Sequence, residues 1–376
     1  MSIVIFIVVI VALIVVHELG HFVAAKLSGM RVDEFGLGYP PRALLLGKKG
    51  ETEYTLNWLP FGGFVKIYGE DPGTVTAQTQ LATGQVADTR SFSTKSRLAQ
   101  AIVLAAGVTM NLVFAYILVT GALIAGTPRV LSEDEIPIAQ SMELAVANVL
   151  PGSPAAEAGL LPGDSILSAE DGHFVFTGFS PAEFMKFVTE GRGNTTIALS
   201  VRHGSGEKAT LFARPETGII SSDPSRAALG VEVATIGIVP LSFGAALVEG
   251  AKLTWGATVL TAQGLWQFFA GVFTLSVDLS QVAGPVGIAG AVGTASSQGW
   301  GDLFSIMAII SINLALINLI PVPALDGGRL LFVIIESIIR RPIKPNVSQA
   351  INAIGFVFLV LLMLVVTAHD IFRIVG

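Results

Sequence analysis

Three residues near the start of the chain could bind a metal ion and use it for catalysis. His17 and His21 stand four positions apart, so on a helix both imidazoles project from one face and can meet at a single ion. Glu18 lies between them and could take a proton from a metal-bound water, as in the pattern His-Glu-x-x-His. The alternative is a buried hydrogen-bonding cluster without metal. We favour the metal, because two histidines and a glutamate inside a long apolar segment are costly and usually functional.

A catalytic zinc bound by two histidines needs a third protein ligand from elsewhere in the chain. The other histidines, 173, 203 and 369, lie in regions that we predict to be external or at the outer end of a span. Asp326 follows an apolar segment, in Asn318-Leu-Ile-Pro-Val-Pro-Ala-Leu-Asp-Gly-Gly328. Its prolines end a helix and its glycines permit close backbone approach. Read alone, Asp326 would be an exposed residue in a turn. Together with His-Glu-x-x-His it indicates the third ligand of Zn²⁺, which suits two histidines and one carboxylate.

The composition predicts a membrane protein. Of the 376 residues, 52% are apolar and only 13% are charged, a balance that soluble globular proteins rarely show. The net charge of -6 has no accompanying basic block, which argues against nucleic-acid binding. The chain has no cysteine, so thiol catalysis, disulfides and cysteine-ligated zinc are excluded and the redox compartment stays undetermined.

Four apolar segments are long enough to cross a bilayer, and we predict spans at 1–26, 98–126, 300–322 and 351–369. A cleaved signal peptide is the alternative for the first segment. That interpretation is disfavoured because no basic residue precedes the segment, whereas Lys26 follows it.

The distribution of lysine and arginine predicts which side of the membrane each loop occupies. Basic residues are concentrated in 27–97 and in 323–350, which places both segments in the cytosol. Arg129 is followed by three acidic residues, so 127–299 and both termini are predicted to be external. Asp326 then returns to the membrane depth of the two histidines.

One further apolar stretch, 243–274, is long enough to span the membrane. Its polar residues recur at multiples of three and four and form one stripe on a helix, namely Glu249, Lys252, Gly256, Gln263 and Gln267. We therefore predict a linker with an amphipathic helix on the outer surface within 216–299. A span at 243–274 is the alternative, and it would put Asp326 on the opposite membrane face from His17.

The external region 127–215 looks like a PDZ domain of α+β structure. Residues 149–167 read as strand, turn, short helix and strand, with Gly159 ending the helix. A second helix is predicted at 181–189, followed by an alternating strand at 196–202. The groove of such a domain could capture a peptide by strand addition. We favour a different role, in which the bulk of the domain acts as a steric filter over the entrance to the site and excludes proteins with large external parts.

Together, these motifs resemble those of the site-2 protease family, and the bacterial regulator-of-sigma-E or RasP type with a single PDZ domain is the most similar branch. His-Glu-x-x-His in the first span is matched by Asn-x-x-Pro-x-Pro-x-Leu-Asp-Gly later on. Segments 30–38 and 53–66 look like the family's membrane-dipping β-hairpin region, and Gly284–Ile288 looks like the segment before the third span. Residues 106–111 depart from the usual Gly-Pro-x-x-Asn, because Val108 replaces the proline.

The resemblance implies a polytopic α-helical membrane protein with four transmembrane helices, a membrane-dipping β-hairpin and an inserted extracytoplasmic PDZ domain. It implies a zinc metalloprotease of the bacterial inner membrane that cleaves transmembrane segments of single-span proteins, such as anti-sigma factors or remnant signal peptides. Glu18 would be the base, while Asn318 and Asn111 would hold an unwound substrate strand or the oxyanion. A metal-ion transporter and a catalytically inactive PDZ scaffold remain alternatives. The oligomeric state and the substrate stay undetermined.

Overall fold

The computed structural model describes residues 2–70, 88–190, 195–204, 206–219, 223, 225–239, 241–274 and 283–375. The chain forms two compact units, a helical unit made of 1–122 and 245–376 and a sheet unit made of 123–244. The helices are α1 Ser2–Leu27, α2 Arg97–Ile124, α3 Pro154–Glu157, α4 Pro181–Glu190, α5 Phe243–Thr274, α6 Pro285–Gln298, α7 Trp300–Leu319, α8 Asp326–Ile339 and α9 Pro345–Val375. The strands are β1 Val32–Lys49, β2 Thr52–Ile67, β3 Arg129–Val130, β4 Gln140–Val149, β5 Ser165–Glu170, β6 Val175–Phe176, β7 Ile197–Arg202, β8 Lys208–Ala213 and β9 Val231–Ile238.

Four helices of the described chain are long and apolar enough to cross a membrane, at Ile3–Leu27, Arg97–Ile124, Trp300–Leu319 and Pro345–Phe372. These are the four segments that hydropathy predicted, so the chain has the helices of a multi-pass membrane protein. Helix α5 is continuous over 32 residues and is not among these four. Its position on the outer surface stays a prediction.

Helices α1 and α2 touch through a glycine. A Cβ atom built on Gly20 would lie 2.4 Å from the carbonyl oxygen of Ala106, which is closer than any side chain tolerates. Glycine at this position therefore lets the two backbones come into contact, as small residues do between membrane helices. Because Gly20 adjoins His21, the contact brings the histidine-bearing face of α1 against α2.

Strands β1 and β2 form a two-stranded antiparallel hairpin within the helical unit. Its base is anchored in the core, where Val32 and Ile67 are buried with Ala25 and Val103 of the first two spans. Farther out, the hairpin carries large apolar side chains that are more than 45% exposed, at Tyr39, Leu44, Leu45, Leu46, Trp58 and Leu59. Such a surface suits contact with lipid, and the position of the hairpin in the membrane stays a prediction.

The sheet unit contains a seven-stranded sheet in the order β3-β9-β4-β5-β7-β8, with β6 paired to β5. The predicted succession of strand, short helix, strand, helix and strand is present as β4, α3, β5, α4 and β7. The unit extends beyond residue 215, where we expected it to end, because β9 lies between β3 and β4.

Candidate metal centre

The structure brings together His17, His21 and Asp326, which are separated by up to 309 positions. The Nε2 atoms of the two histidines lie 3.2 Å apart. Oδ2 of Asp326 lies 2.9 Å from Nε2 of His17 and 3.2 Å from Nε2 of His21. Both histidines are buried and Asp326 is half-buried. Three potential ligand atoms thus converge on one point.

This triangle has the dimensions of one face of a tetrahedral zinc site. Ligands about 2.0–2.1 Å from a tetrahedral ion are separated from one another by roughly 3.3–3.4 Å. The observed separations of 2.9 to 3.2 Å need only a few tenths of an ångström of expansion to accept the ion. The donor set, two imidazole nitrogens and one carboxylate oxygen, is also one that zinc prefers. The residues therefore fit zinc.

Asp326 reaches the histidines because the chain reverses between α7 and α8. Helix α7 ends at Leu319, and Asp326 is the first residue of α8. A Cβ on Gly327 would lie 2.3 Å from the carbonyl oxygen of Leu319, so the close approach that we expected of the double glycine is present. The loop predicted at 323–350 contains α8, which is amphipathic because Asp326, Arg329 and Glu336 share one helix face and the residues opposite them are apolar.

Helix α2 lies against both imidazoles at Gly107. A Cβ atom at this position would lie 2.4 Å from Nε2 of His21 and 2.8 Å from Nε2 of His17. Any side chain would therefore occupy the space of the two ligand nitrogens. Gly107 belongs to the motif at 106–111, and nothing in that motif by itself predicts the contact with the two imidazoles.

The second nitrogen of each histidine also has a partner on α2. Nδ1 of His21 lies 2.8 Å from the carbonyl oxygen of Val103, and Nδ1 of His17 lies 3.1 Å from the side-chain nitrogen of Asn111. Such outer contacts orient metal-binding imidazoles and select the tautomer. Asn111, predicted to contact substrate or an oxyanion, is fully buried behind His17.

Glu18 faces a cavity of about 400 Å³ that also reaches His21 and Asp326. Strand β2 forms one wall, and a Cβ on Gly63 would lie 3.5 Å from Cγ of Glu18. The cavity has a largely polar lining that includes Tyr39, Lys66, Glu70 and Arg329. Arg329 donates a 2.6 Å hydrogen bond to Glu70. Asn318, in the last turn of α7, is half-buried and does not line this cavity.

Comparison with known proteins identifies the family. The model of peptidase family M50 matches residues 5–362. The chain belongs to peptidase family M50. A zinc metalloprotease by name from Clostridium perfringens is 35% identical over 362 residues, covering 96% of this chain and 95% of the relative. A Nostoc protein of the same description is 34% identical, covering 96% of this chain and 93% of the relative. The zinc metalloprotease RasP of Bacillus licheniformis is 28% identical, with 99% of each chain covered.

Membership of this family favours an enzyme over the two alternatives considered above, a metal-ion transporter and a catalytically inactive PDZ scaffold. The protein is a zinc-dependent metalloprotease of the site-2 protease family. The four candidate spanning helices among its described residues make it a multi-pass membrane protein.

Proposed function

We propose that this protease cleaves peptide bonds within the membrane-spanning segments of single-span proteins, with zinc held by His17, His21 and Asp326. The observation that carries the proposal is the position of His17 and His21 on a candidate membrane span. His17 stands ten residues before Leu27, where the first candidate span ends, which corresponds to about 15 Å along a helix. A catalytic centre at that depth is accessible to the transmembrane part of a substrate.

Zinc and the side chains around His17, His21 and Asp326 have separate roles in hydrolysis. Zinc, when bound, acidifies a water molecule and polarises the scissile carbonyl group. Glu18 accepts the proton of that water and passes it to the leaving amine. The polar cavity supplies room for the water and for an extended piece of substrate.

Strand β2 offers a template for the substrate. A peptide bond within a helix is shielded by its own hydrogen bonds, so the substrate must unwind before it is cut. Residues Gly63–Ile67 of β2 line the cavity beside Glu18, and along one edge they pair with Val32–Leu37 of β1. An unwound segment could therefore pair with the other edge of β2. Asn318 remains our candidate for a further contact with the unwound strand.

Metal removal tests this proposal on the purified protein in detergent. A single-span substrate with a helix-breaking residue in its span should be cut within the span, and a chelator should stop the cutting. One equivalent of zinc should restore the cutting.

The variant Asp326→Ala should bind less than about a tenth as much zinc as the parent protein, since an open three-ligand site loses a ligand. Cleavage only outside the span would contradict the intramembrane assignment, and full zinc content in the variant would contradict the ligand assignment.

The sheet unit supports the proposal of an extracytoplasmic PDZ domain that controls access. A groove of about 260 Å³ runs between α4 and the start of β9. Its walls include Phe184, Met185 and Val188 of α4, together with Leu229 and Val231. Strand β9 pairs with β3 only at Ile236 and Gly237, so its first residues can accept an added strand. This groove favours peptide capture as a second role beside the steric filter.

Substitution in the groove separates the two roles. Met185 is 46% exposed, so Met185→Asp adds a charge to the groove with little cost to the fold. If the groove captures substrate, the variant should raise KM several-fold and leave kcat unchanged. Glu157→Gln on α3, a helix that does not line the groove, serves as the control. An unchanged KM, with cleavage still falling as the external part of the substrate grows, would support the filter alone.

Orientation and location complete the proposal. The excess of basic residues in 27–97 and 323–350 supports a cytosolic position for these segments. The termini and the sheet unit would then be extracytoplasmic in the bacterial inner membrane. The mouth of the cavity, where Lys66, Glu70 and Arg329 meet, would face the cytosol.

A further inference from the structure

Asn111 occupies a position that no catalytic step described above uses. Its side chain is 0% exposed, so it cannot reach substrate in the cavity. Its amide nitrogen lies 3.1 Å from Nδ1 of His17. Its amide oxygen is buried and has no hydrogen-bond partner. An orphaned buried acceptor next to a metal-binding histidine calls for an explanation.

The backbone around Asn111 is held in place from the other side. The hydroxyl group of Ser311 on α7 donates a 2.8 Å hydrogen bond to the carbonyl oxygen of Asn111, and Ser311 is also 0% exposed. One turn earlier on α2, Gly107 lies against both ligand nitrogens. The backbone of Asn111 and the imidazole of His17 that its amide contacts are therefore both held in place. Rotation about the side-chain bonds is the movement that remains to the amide.

Zinc binding determines which atom of the amide His17 requires. The Nε2 atom that faces Asp326 must give its lone pair to the metal, so the proton of the neutral ring moves to Nδ1. Nδ1–H is a donor, and the amide nitrogen that now lies beside it is a donor too. The amide oxygen is the acceptor that this tautomer needs, and a half-turn of the amide brings it to Nδ1.

We propose that Asn111 is a positioning residue for zinc, whose side-chain oxygen accepts a hydrogen bond from Nδ1–H of His17 in the metal-bound enzyme. The inference rests on the zinc site of the proposed function and deepens it. It assigns to Asn111 the part that the carbonyl oxygen of Val103 plays for His21. Each histidine then has one partner on α2 that selects the tautomer required by the metal.

Three variants of the full chain, compared by zinc affinity, test the assignment. Asn111→Leu keeps the approximate size and removes the acceptor, so zinc affinity in competition with a chromophoric chelator should fall by about 10–100-fold. Asn111→Asp keeps an acceptor, and its affinity should stay within about tenfold of the parent. Asn111→Ala removes the acceptor without bulk and should follow the leucine variant. The absorption spectrum of bound Co²⁺ should change in the Leu and Ala variants and persist in the Asp variant.

Other roles for Asn111 give a different order of affinities. If Asn111 only fills space, the leucine variant would keep its zinc affinity and the aspartate variant, with a buried charge, would lose it. If Asn111 contacts substrate, all three variants would keep zinc affinity and change kcat or KM alone. Either result overturns the inference. Thr120→Val removes the other buried orphaned group of the described chain, on the same helix, and should leave zinc affinity unchanged.

A His17→Ala variant separates failure of the inference from failure of the proposed site. Zinc affinity that is unchanged in His17→Ala would refute the zinc site itself. Affinity that falls in His17→Ala but not in Asn111→Leu would refute only the role of Asn111.

Discussion

Replacing Glu18 by glutamine is expected to stop cleavage and to leave zinc in place. Glutamine has the size of glutamate but cannot accept the proton of the metal-bound water. Loss of a general base costs roughly 10²–10⁴-fold in rate, or about 3–5 kcal/mol of transition-state stabilisation. The measurements are kcat on a purified single-span substrate and the zinc content of the variant. Glu18 is not one of the three donors of the triangle, so one equivalent of zinc should remain.

Glu70 provides the matched control for Glu18. It lines the same cavity and carries the same group, but it accepts a hydrogen bond from Arg329. Glu70→Gln should therefore retain most of the activity. Wild-type activity in Glu18→Gln would refute the assignment of the base. Loss of zinc in that variant would indicate that Glu18 helps to hold the metal.

Replacing Gly107 by alanine is expected to empty the metal site. The new methyl group would lie 2.4 Å from Nε2 of His21 and 2.8 Å from Nε2 of His17, so both ligand atoms must move. Metal–ligand distances in zinc sites usually stay within about 0.2 Å of their preferred values, so ligand atoms displaced by more than that bind the metal poorly. The loss of affinity should therefore exceed the roughly 10–100-fold caused by removing an outer contact. Alanine is a better helix former than glycine by about 1 kcal/mol, so α2 itself should not be weakened.

Gly121→Ala is the control for this effect on the same helix. Its nearest neighbour, an edge atom of the Phe304 ring, lies 3.3 Å from the added Cβ, and that ring can shift slightly. Zinc affinity by chelator competition and activity should both match the parent. If Gly107→Ala bound zinc with parental affinity, the two histidines would not hold the metal where the structure places them.

Local patterns in the sequence were sufficient to predict the spans and half of the site. Hydropathy located all four candidate spanning helices. The spacing of His17 and His21 placed two ligands on one helix face, because a helix repeats every 3.6 residues. Asp326 was predicted from its context, Pro-Val-Pro-Ala-Leu-Asp-Gly-Gly, and from loop charge, and the structure places its Oδ2 atom 2.9 Å from Nε2 of His17.

Only the tertiary structure decided what surrounds these ligands. Neither the fit of Gly107 against both imidazoles nor the burial of Asn111 behind His17 follows from any local pattern, because each depends on how α1 packs against α2. Strand β9 was missed for a related reason, since its place between β3 and β4 is set by pairing with distant residues. Periodicity is a property of one segment, whereas close packing depends on the shapes of two or more segments at once. The sequence alone thus predicted the candidate ligands and the candidate base, and the packing of α2 decided the environment that surrounds them.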